Sequence, residues 1–275
     1  MAGLITLIKG GFNTDGYYRS MNQALKRLDD TYTMLHYPYF VSEKDSFQTA
    51  QKNLTDYCIS CLPGIGGKRV LEIGCGNGIQ ALYLMEKYGP EFLKAIDLNK
   101  ANIDIARGEA ERNGTSGVEF DTGDAQDLLS IEDHSFDVVV NIESAFHYPD
   151  KPAFLREIKR VLKPGGHFLI ADIISDPKSG TASKRKWKEG MQLNHWPREK
   201  YETELAAAGL EILRFNDITD EVIRGFELYP QWLKKMPRSN VFRDLSLKLF
   251  YTINVRLNIR LLKRQRDYVV ITGTA

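Results

Sequence analysis

The sequence predicts a doubly wound α/β fold, in which a mostly parallel sheet is covered by helices on both faces. Two observations support this prediction. From residue 69 onward, apolar runs typical of strands alternate with amphipathic runs typical of helices. Several strand runs are almost continuously apolar, such as Val138-Val139-Val140, which indicates strands that are buried on both faces.

The predicted elements follow one another in a regular order. Strand runs lie at 69–73, 92–97, 118–121, 136–142, 166–174 and 210–216, with a final strand at 268–272. Helical runs lie at 49–62, 78–88, 100–113, 151–162 and 198–208. The stretch Lys163-Pro164-Gly165-Gly166 is typical of a helix end that leads directly into a strand.

Two long stretches fall outside this alternation, one before the first strand and one between the last two strands. Long excursions from an open α/β sheet often form lids over the ligand crevice. We therefore expect an N-terminal helical lid at 1–62, a core at 63–218, a cap at 219–266 and a final core strand at 267–275.

Length, charge and apolar patterning exclude several classes of protein. A chain of 275 residues suits one large domain, and a net charge of +1 gives no electrostatic case for binding nucleic acid. No run is long enough to span a bilayer, so stable membrane insertion is not expected. The apolar stretch 2–8 lacks a signal-peptide cleavage site, which leads us to expect a cytoplasmic protein.

The cysteines give no sign of a disulfide framework or a metal site. There are 3 of them, which is too few for a framework. Cys58 and Cys61 have C-x-x-C spacing, but no second ligand pair follows them. We interpret them as two small buried residues one turn apart on a helix, and no metal is expected.

A glycine cluster follows the first predicted strand, in the stretch Val70-Leu-Glu-Ile-Gly-Cys-Gly-Asn-Gly78. Ligands of doubly wound sheets bind outside the carboxyl ends of the strands, and glycines let the backbone approach them closely. The G-x-G-x-G spacing differs from the G-x-G-x-x-G of dinucleotide sites, and the Glu72 carboxylate would repel a pyrophosphate. The loop is therefore compatible with a cationic or hydroxyl-bearing ligand that lacks phosphate.

Acidic residues also follow the next two strands. Asp97 ends the second strand, where a carboxylate can accept hydrogen bonds from both ribose hydroxyls. Asp124 follows the third strand, where a further acid could accept a hydrogen bond from an adenine amino group. Each acid alone could equally be a helix cap or a turn residue, but the ordered set is far harder to obtain by chance.

Together these motifs resemble those of class I S-adenosylmethionine-dependent methyltransferases, over roughly residues 47–216. The matching stretches are Glu72-x-Gly74-x-Gly76-x-Gly78, Asp97, Gly123-Asp124-Ala125, Phe136-Asp137-Val138-Val139 and Leu162-Lys163-Pro164-Gly165-Gly166. The resemblance implies a Rossmann-like, seven-stranded sheet with the last strand antiparallel, and S-adenosylmethionine as the cofactor. The expected cofactor-binding residues are Tyr17, Tyr37, Glu72, Gly74, Gly76, Gly78, Asp97, Leu98, Asp124, Ala125 and Asn141.

The stretch Asn141-Ile-Glu-Ser-Ala-Phe-His147-Tyr-Pro-Asp150 should face the transferable methyl group. It resembles the small-molecule branch of the family, which includes sugar, polyketide and mycobacterial lipid O-methyltransferases and phosphoethanolamine methyltransferases. In several of these a histidine matching His147 is the general base, and Asp172 matches a second acidic position of the sugar enzymes. In the lipid enzymes the histidine lies one residue earlier, where this chain has Phe146, so the identity of the base stays open.

O-methylation suits these residues. A sulfonium is already a good leaving group, so alignment provides much of the catalysis. An attacking alcohol must also lose its proton, and a histidine with a pKa near ~6.5 is suited to accept it. Asp172 could orient the imidazole, stabilise its charged form or bind substrate, whereas His147 could instead cap the turn.

The acceptor is predicted to be a natural-product, lipid or sugar-type small molecule. The expected acceptor-binding residues are Glu143, Phe146, Trp196, Tyr229 and Trp232. A basic amphipathic segment at 241–266 could touch a membrane surface or a lipid-like acceptor, although such segments are more often solvated helix faces.

Three alternatives stay open at this point. The nearest is N- or C-methylation of a small molecule, because the core motifs do not encode the acceptor atom. A nicotinamide-dependent oxidoreductase shares the glycine loop, although Glu72 and the glycine spacing count against it. A non-catalytic protein would bind S-adenosylmethionine without turnover. Homo-oligomerisation is also left open.

Overall fold

The computed structural model describes residues 16, 18, 22, 26, 31–175, 193–235, 252, 253 and 255–275, with the side chains of 229–235 excepted. Its strands are β1 (Arg69–Ile73), β2 (Phe92–Asp97), β3 (Val118–Thr122), β4 (Phe136–Ile142), β5 (Leu162–Ile174), β6 (Glu211–Asp217) and β7 (Asp267–Thr274). Its helices include α1 (Phe47–Ser60), α2 (Ile79–Tyr88), α3 (Lys100–Asn113), α4 (Lys151–Val161), α5 (Arg198–Ala207) and α6 (Thr219–Lys235). A 3-10 turn spans Ala145–His147, and residues 255–262 are also helical.

The strands form one seven-stranded sheet in the order β3-β2-β1-β4-β5-β7-β6. Strand β1 pairs in parallel with β2 and β4, whereas β7 runs antiparallel to β5 and β6. The predicted α/β fold with an antiparallel last strand is therefore confirmed. The strand order reverses between β1 and β4, so the ligand crevice is expected at the carboxyl ends of these two strands.

Helices cover both faces of the sheet, which explains the uninterrupted apolar runs. On β4, Val138 and Val140 pack with α1, α2, α3 and α6, whereas Val139 packs on the opposite face with α4 and α5. Helix α1 belongs to the first of these layers through Leu54 and Cys58, which are fully buried. The stretch predicted as an N-terminal lid thus contains a helix of the core.

Local signals account for the ends of the helices near the crevice. Asn99 caps α3 by accepting a hydrogen bond from the backbone N–H of Ala101. Asp150 caps α4 in the same way through Ala153. Helix α4 ends at Val161, and β5 begins at the next residue, so the predicted helix stop is followed at once by a strand. Within the described ranges no helix is long and apolar enough to cross a membrane.

Candidate active site

A cavity of about 320 Å³ lies at the carboxyl ends of β1, β2 and β4, where the strand order reverses. Nine of the residues predicted for the site line it: Glu72, Gly74, Gly76, Asp97, Leu98, Asp124, Ala125, Glu143 and His147. The lining also contains Tyr18, Leu35 and His36 of the N-terminal region, and residues that the sequence did not single out, including Asn102 and Gln126. One cavity therefore joins the predicted cofactor residues to the predicted general base.

The glycine loop after β1 turns sharply into α2. Gly74, Gly76 and Gly78 have φ values of 74°, 55° and 77°, which are left-handed conformations that favour glycine. A Cβ on Gly78 would lie 2.4 Å from the Cβ of Ala106 in α3. Gly78 is needed for this close packing of the loop on α3 and does not itself line the cavity.

Glu72 gives the cavity a buried acid. Its side chain is almost fully buried; Oε1 accepts a hydrogen bond of 2.8 Å from Gln80, and Oε2 has no partner. Burial, reinforced by the nearby charge of Asp97, raises the pKa of Glu72 to about 8. An orphaned carboxylate oxygen of this kind fits a ligand with a cationic group, such as the methionyl end of S-adenosylmethionine.

The neighbouring strand ends supply groups suited to a nucleoside. Asp97 accepts hydrogen bonds of 2.9 Å from the backbone N–H groups of Gly76 and Asn99. Leu98 is exposed and Ala125 is buried, and both contribute apolar surface to the same cavity. This combination of an acid at the end of β2 and apolar surface beside it fits a ribose and an adenine ring.

A segment that we call the strap, residues 33–37, contributes to the lining beside the glycine loop. Asn77 donates a hydrogen bond of 2.8 Å to the Thr33 carbonyl, and Gln51 donates one of 3.0 Å to the His36 carbonyl. The backbone N–H of Tyr37 donates to Glu143 at 2.7 Å. Three separate side chains therefore hold the strap against the core.

Two neighbouring strap residues, Tyr37 and His36, differ in whether they line the cavity. The ring of Tyr37 packs edge-on against Phe226, and its hydroxyl donates to Asn258 at 3.1 Å. Tyr37 does not line the cavity, so the structure does not support its ring as a cofactor contact. His36 does line it, and burial lowers the pKa of this histidine to about 4.

The turn after β4 forms the end of the cavity where the acceptor should enter. Glu143 has a φ of 53°, an uncommon conformation for a residue with a side chain, and burial raises its pKa to about 8. The Nε2 atom of His147 lies 2.9 Å from the hydroxyl of Tyr18, which also lines the cavity. A tyrosine–histidine pair thus stands at this end.

Asp172 does not line the cavity, which differs from the expectation that it could bind substrate. Its carboxylate is fully buried outside the cavity lining, where Lys151 donates to it at 3.0 Å and the hydroxyl of Tyr201 also donates to it. The backbone N–H of Phe146 donates to its other oxygen at 3.1 Å. Because these groups surround it, Asp172 is not placed to contact substrate and instead anchors the turn that carries His147.

The remaining predicted residues lie around the cavity or outside the described part of the chain. Asn141 is fully buried and donates a hydrogen bond of 2.9 Å to the Ile73 carbonyl. It therefore connects β4 to the end of β1 and does not line the cavity. Phe146 and Trp196 are buried and do not line the cavity. Residue Tyr17 lies outside the described residues, as do the side chains of Tyr229 and Trp232.

Comparison with known proteins decides the family. The family model described as "Methyltransferase domain" matches residues 66–222. This chain belongs to that family. The expected class, an S-adenosylmethionine-dependent methyltransferase, and its expected cofactor are confirmed, in agreement with the fit of Glu72 and Asp97 to that molecule.

Curated relatives of this methyltransferase are named for phthiotriol and phenolphthiotriol dimycocerosates and for a fatty acid. It is 41% identical over 210 residues to the probable phthiotriol/phenolphthiotriol dimycocerosates methyltransferase 2 of Mycobacterium ulcerans, covering 76% of this chain and 66% of the relative. It is 35% identical over 218 residues to the fatty-acid O-methyltransferase of Mycolicibacterium smegmatis, covering 76% and 70%. The chain thus spans about two thirds of the length of these relatives.

A solved structure shows the same fold over almost the whole chain. The [4+2]-cyclase SpnF superposes with a TM-score of 0.74 at 23% identity, covering 95% of this chain and 96% of that one. Because that protein is named a cyclase, the fold alone does not establish methyl transfer.

Proposed function

We propose that this methyltransferase transfers the methyl group of S-adenosylmethionine to an oxygen atom of a lipid or lipid-like small molecule. The observation that supports the proposal is the hydrogen bond between Tyr18 and His147 in the wall of the cofactor cavity. When bound, S-adenosylmethionine supplies an electrophilic methyl group on a sulfur that leaves as a neutral thioether with the bonding electron pair.

The Tyr18–His147 pair provides a route for the proton of an attacking hydroxyl. In the tautomer of His147 that carries its proton on Nδ1, the Tyr18 hydroxyl donates to Nε2, and a hydroxyl oxygen can accept a hydrogen bond while it donates one. As the acceptor oxygen forms its new bond to carbon, its proton passes to the Tyr18 oxygen, and the proton of Tyr18 passes to His147. An imidazole is suited to hold that proton near neutral pH.

Asp172 supports this pair indirectly. By accepting the Phe146 N–H it fixes the short turn in which His147 is the next residue. Lys151 and Tyr201 keep the Asp172 carboxylate in place from the other side. In this proposal Asp172 is a positioning residue, and the proton never reaches it.

The lipid class of the acceptor is supported by the curated relatives, which are named for a fatty acid and for phthiotriol and phenolphthiotriol dimycocerosates. The cytoplasmic location, the lack of a nucleic-acid partner and homo-oligomerisation stay predictions.

The test is a methyl-transfer assay with isotopically labelled S-adenosylmethionine. The acceptors offered are a long-chain fatty acid, a long-chain alcohol, phosphoethanolamine and dimethylglycine, and products are located by mass spectrometry. We expect methyl esters or ethers of the two lipids. Methylation confined to phosphoethanolamine or dimethylglycine would contradict the proposal and support an N-methyltransferase.

Variants test the proton route separately from the acceptor class. Tyr18→Phe and His147→Asn should each lower kcat about 10²–10⁴-fold, and the double variant should lose little more because the two residues act as one unit. Cofactor affinity should change far less than kcat. Tyr83→Phe, which removes a tyrosine hydroxyl bonded to Asp56 at the surface, is the control. Wild-type kcat in Tyr18→Phe would remove the tyrosine from the route.

A further inference from the structure

Carboxylates dominate the charged lining of the cofactor cavity. Four acids line it: Glu72, Asp97, Asp124 and Glu143. None of the lysines and arginines that the structure describes is among the lining residues. Elsewhere in the described part of the chain, several half-buried acids have a cation close by, as Asp137 has Lys163 at 2.8 Å. The cavity is therefore built to receive positive charge from a ligand.

Glu72 is the most buried of these four acids. Oε1 accepts from the neutral amide of Gln80, and the buried Oε2 has no hydrogen-bond partner. The titratable groups that act on Glu72 from neighbouring elements are the acid Asp97 at the end of β2 and the thiol of Cys75 in the glycine loop. Neither offers a positive charge.

Glu143 has similar surroundings on the other side of the cavity. Its Oε1 accepts from the backbone N–H of Tyr37, and none of the lysines and arginines that the structure describes forms an ion pair with it. The titratable groups around it are Tyr268 on β7, Cys58 on α1 and Asp172 on β5. The Asp172 carboxylate is itself paired with Lys151 at 3.0 Å.

We propose that Glu72 and Glu143 discriminate the cofactor from its product by charge, because they release protons when cationic S-adenosylmethionine binds and recover them when the neutral-sulfur product is formed. The inference rests on the identity of the cofactor and not on the acceptor or on the Tyr18–His147 route. It assigns to these two residues a role in specificity and product release.

Physical chemistry gives the direction and size of the effect. Burial raises both pKa values to about 8, so both carboxyls are mostly protonated in the cofactor-free protein at neutral pH. A cation within about 4–6 Å typically lowers a carboxyl pKa by 1–3 units. S-adenosylmethionine carries a sulfonium and an ammonium group, whereas S-adenosylhomocysteine retains only the ammonium group, so the former should displace more protons.

Affinity is linked to these protons. For each proton released on binding, the dissociation constant falls about tenfold per pH unit until the carboxyl is ionised in the free protein as well. We therefore expect affinity for S-adenosylmethionine to rise from about pH 6 to about pH 8 and then level off. Affinity for the product should rise less, so that the preference for the cofactor grows with pH.

The experiment is isothermal titration calorimetry of the whole chain with S-adenosylmethionine and with S-adenosylhomocysteine. Each pH is measured in two buffers of different ionisation enthalpy, which gives the number of protons released. The amino group of each ligand also titrates near pH ~8, so the decisive quantity is the difference between wild type and variants. The variants are Glu72→Gln and Glu143→Gln, with Glu111→Gln on the exposed surface of α3 as the matched control.

Glutamine is a suitable replacement because its carbonyl oxygen can still accept from Gln80 or from the Tyr37 N–H. Each variant should release fewer protons with S-adenosylmethionine and should lose up to about tenfold of its preference for cofactor over product near neutral pH. Glu111→Gln should match wild type. The proposal is overturned if wild type releases equal numbers of protons with both ligands, or if neither variant changes the difference.

Discussion

Removing one member of the buried pair Lys151–Asp172 tests most directly how the structure supports its active site. Both side chains are fully buried, with Nζ 3.0 Å from the carboxylate. Replacing Lys151 by methionine keeps the aliphatic length and removes the charge, which leaves the Asp172 carboxylate without its cation. Tyr201 and the Phe146 N–H still donate to it, but neither carries a charge.

The size of the effect can be worked out from this burial. Removing one partner of a buried ion pair typically costs about 3–5 kcal/mol. This loss amounts to a fall in Tm of roughly 6–20 °C for a chain of this size.

Urea unfolding of the variant and of a matched control measures this loss. The matched control is Lys163→Met, whose pair with Asp137 has a similar distance of 2.8 Å but a lysine side chain that is 40% exposed. It should cost at most about 1 kcal/mol.

A loss for Lys151→Met no greater than that for Lys163→Met would refute the reasoning. The accompanying functional readout is kcat, which should fall more than cofactor affinity because the turn before His147 loses its anchor.

Three further measurements concern the cofactor cavity. Gly78→Ala should destabilise the protein by more than Gly89→Ala in thermal melts: both have positive φ, costing about 1–2 kcal/mol, but only Gly78 also lacks space for a Cβ. Asp97→Asn should weaken S-adenosylmethionine binding about tenfold in calorimetry, because hydrogen bonds to a charged acceptor are worth roughly 1.5–3 kcal/mol. The cofactor-free protein should lose stability as pH rises from about 5 to about 8, because Glu72 and Glu143 keep their protons over this range in the folded protein and lose them in the unfolded chain. Glu143→Gln should reduce this loss of stability.

The fold could be predicted because its signals are local. Continuous apolar runs mark β1, β4 and β5. The Pro-Gly-Gly stretch at 164–166, which predicts the end of α4, lies within β5 and begins three residues after the helix ends at Val161. The cofactor residues at the ends of β1 and β2 follow from the same rule, since the carboxyl ends of parallel strands meet at one edge. Glu72 and Asp97 were found for that reason.

The acceptor side of the site depends on contacts between distant parts of the chain. Tyr18 meets His147 across 129 positions, and Tyr37 meets Glu143 across 106. No periodicity or spacing encodes such pairs, because they are set by where the N-terminal segment crosses the sheet. The resemblance left the role of Asp172 open between orienting the imidazole, stabilising its charged form and binding substrate. Its contacts could not be read from the sequence for a related reason, because Lys151 and Tyr201 lie 21 and 29 positions away.

A single turn after β4 connects the separate functions of the site. Within residues 143–147, Glu143 binds the strap, the Phe146 N–H binds Asp172, and His147 binds Tyr18. The left-handed conformation at Glu143 starts this turn, and the buried ion pair fixes its far end. A change of charge at Glu143 therefore acts on a turn that carries His147 four residues later. We expect cofactor binding and the position of this histidine to be coupled through the backbone of the turn.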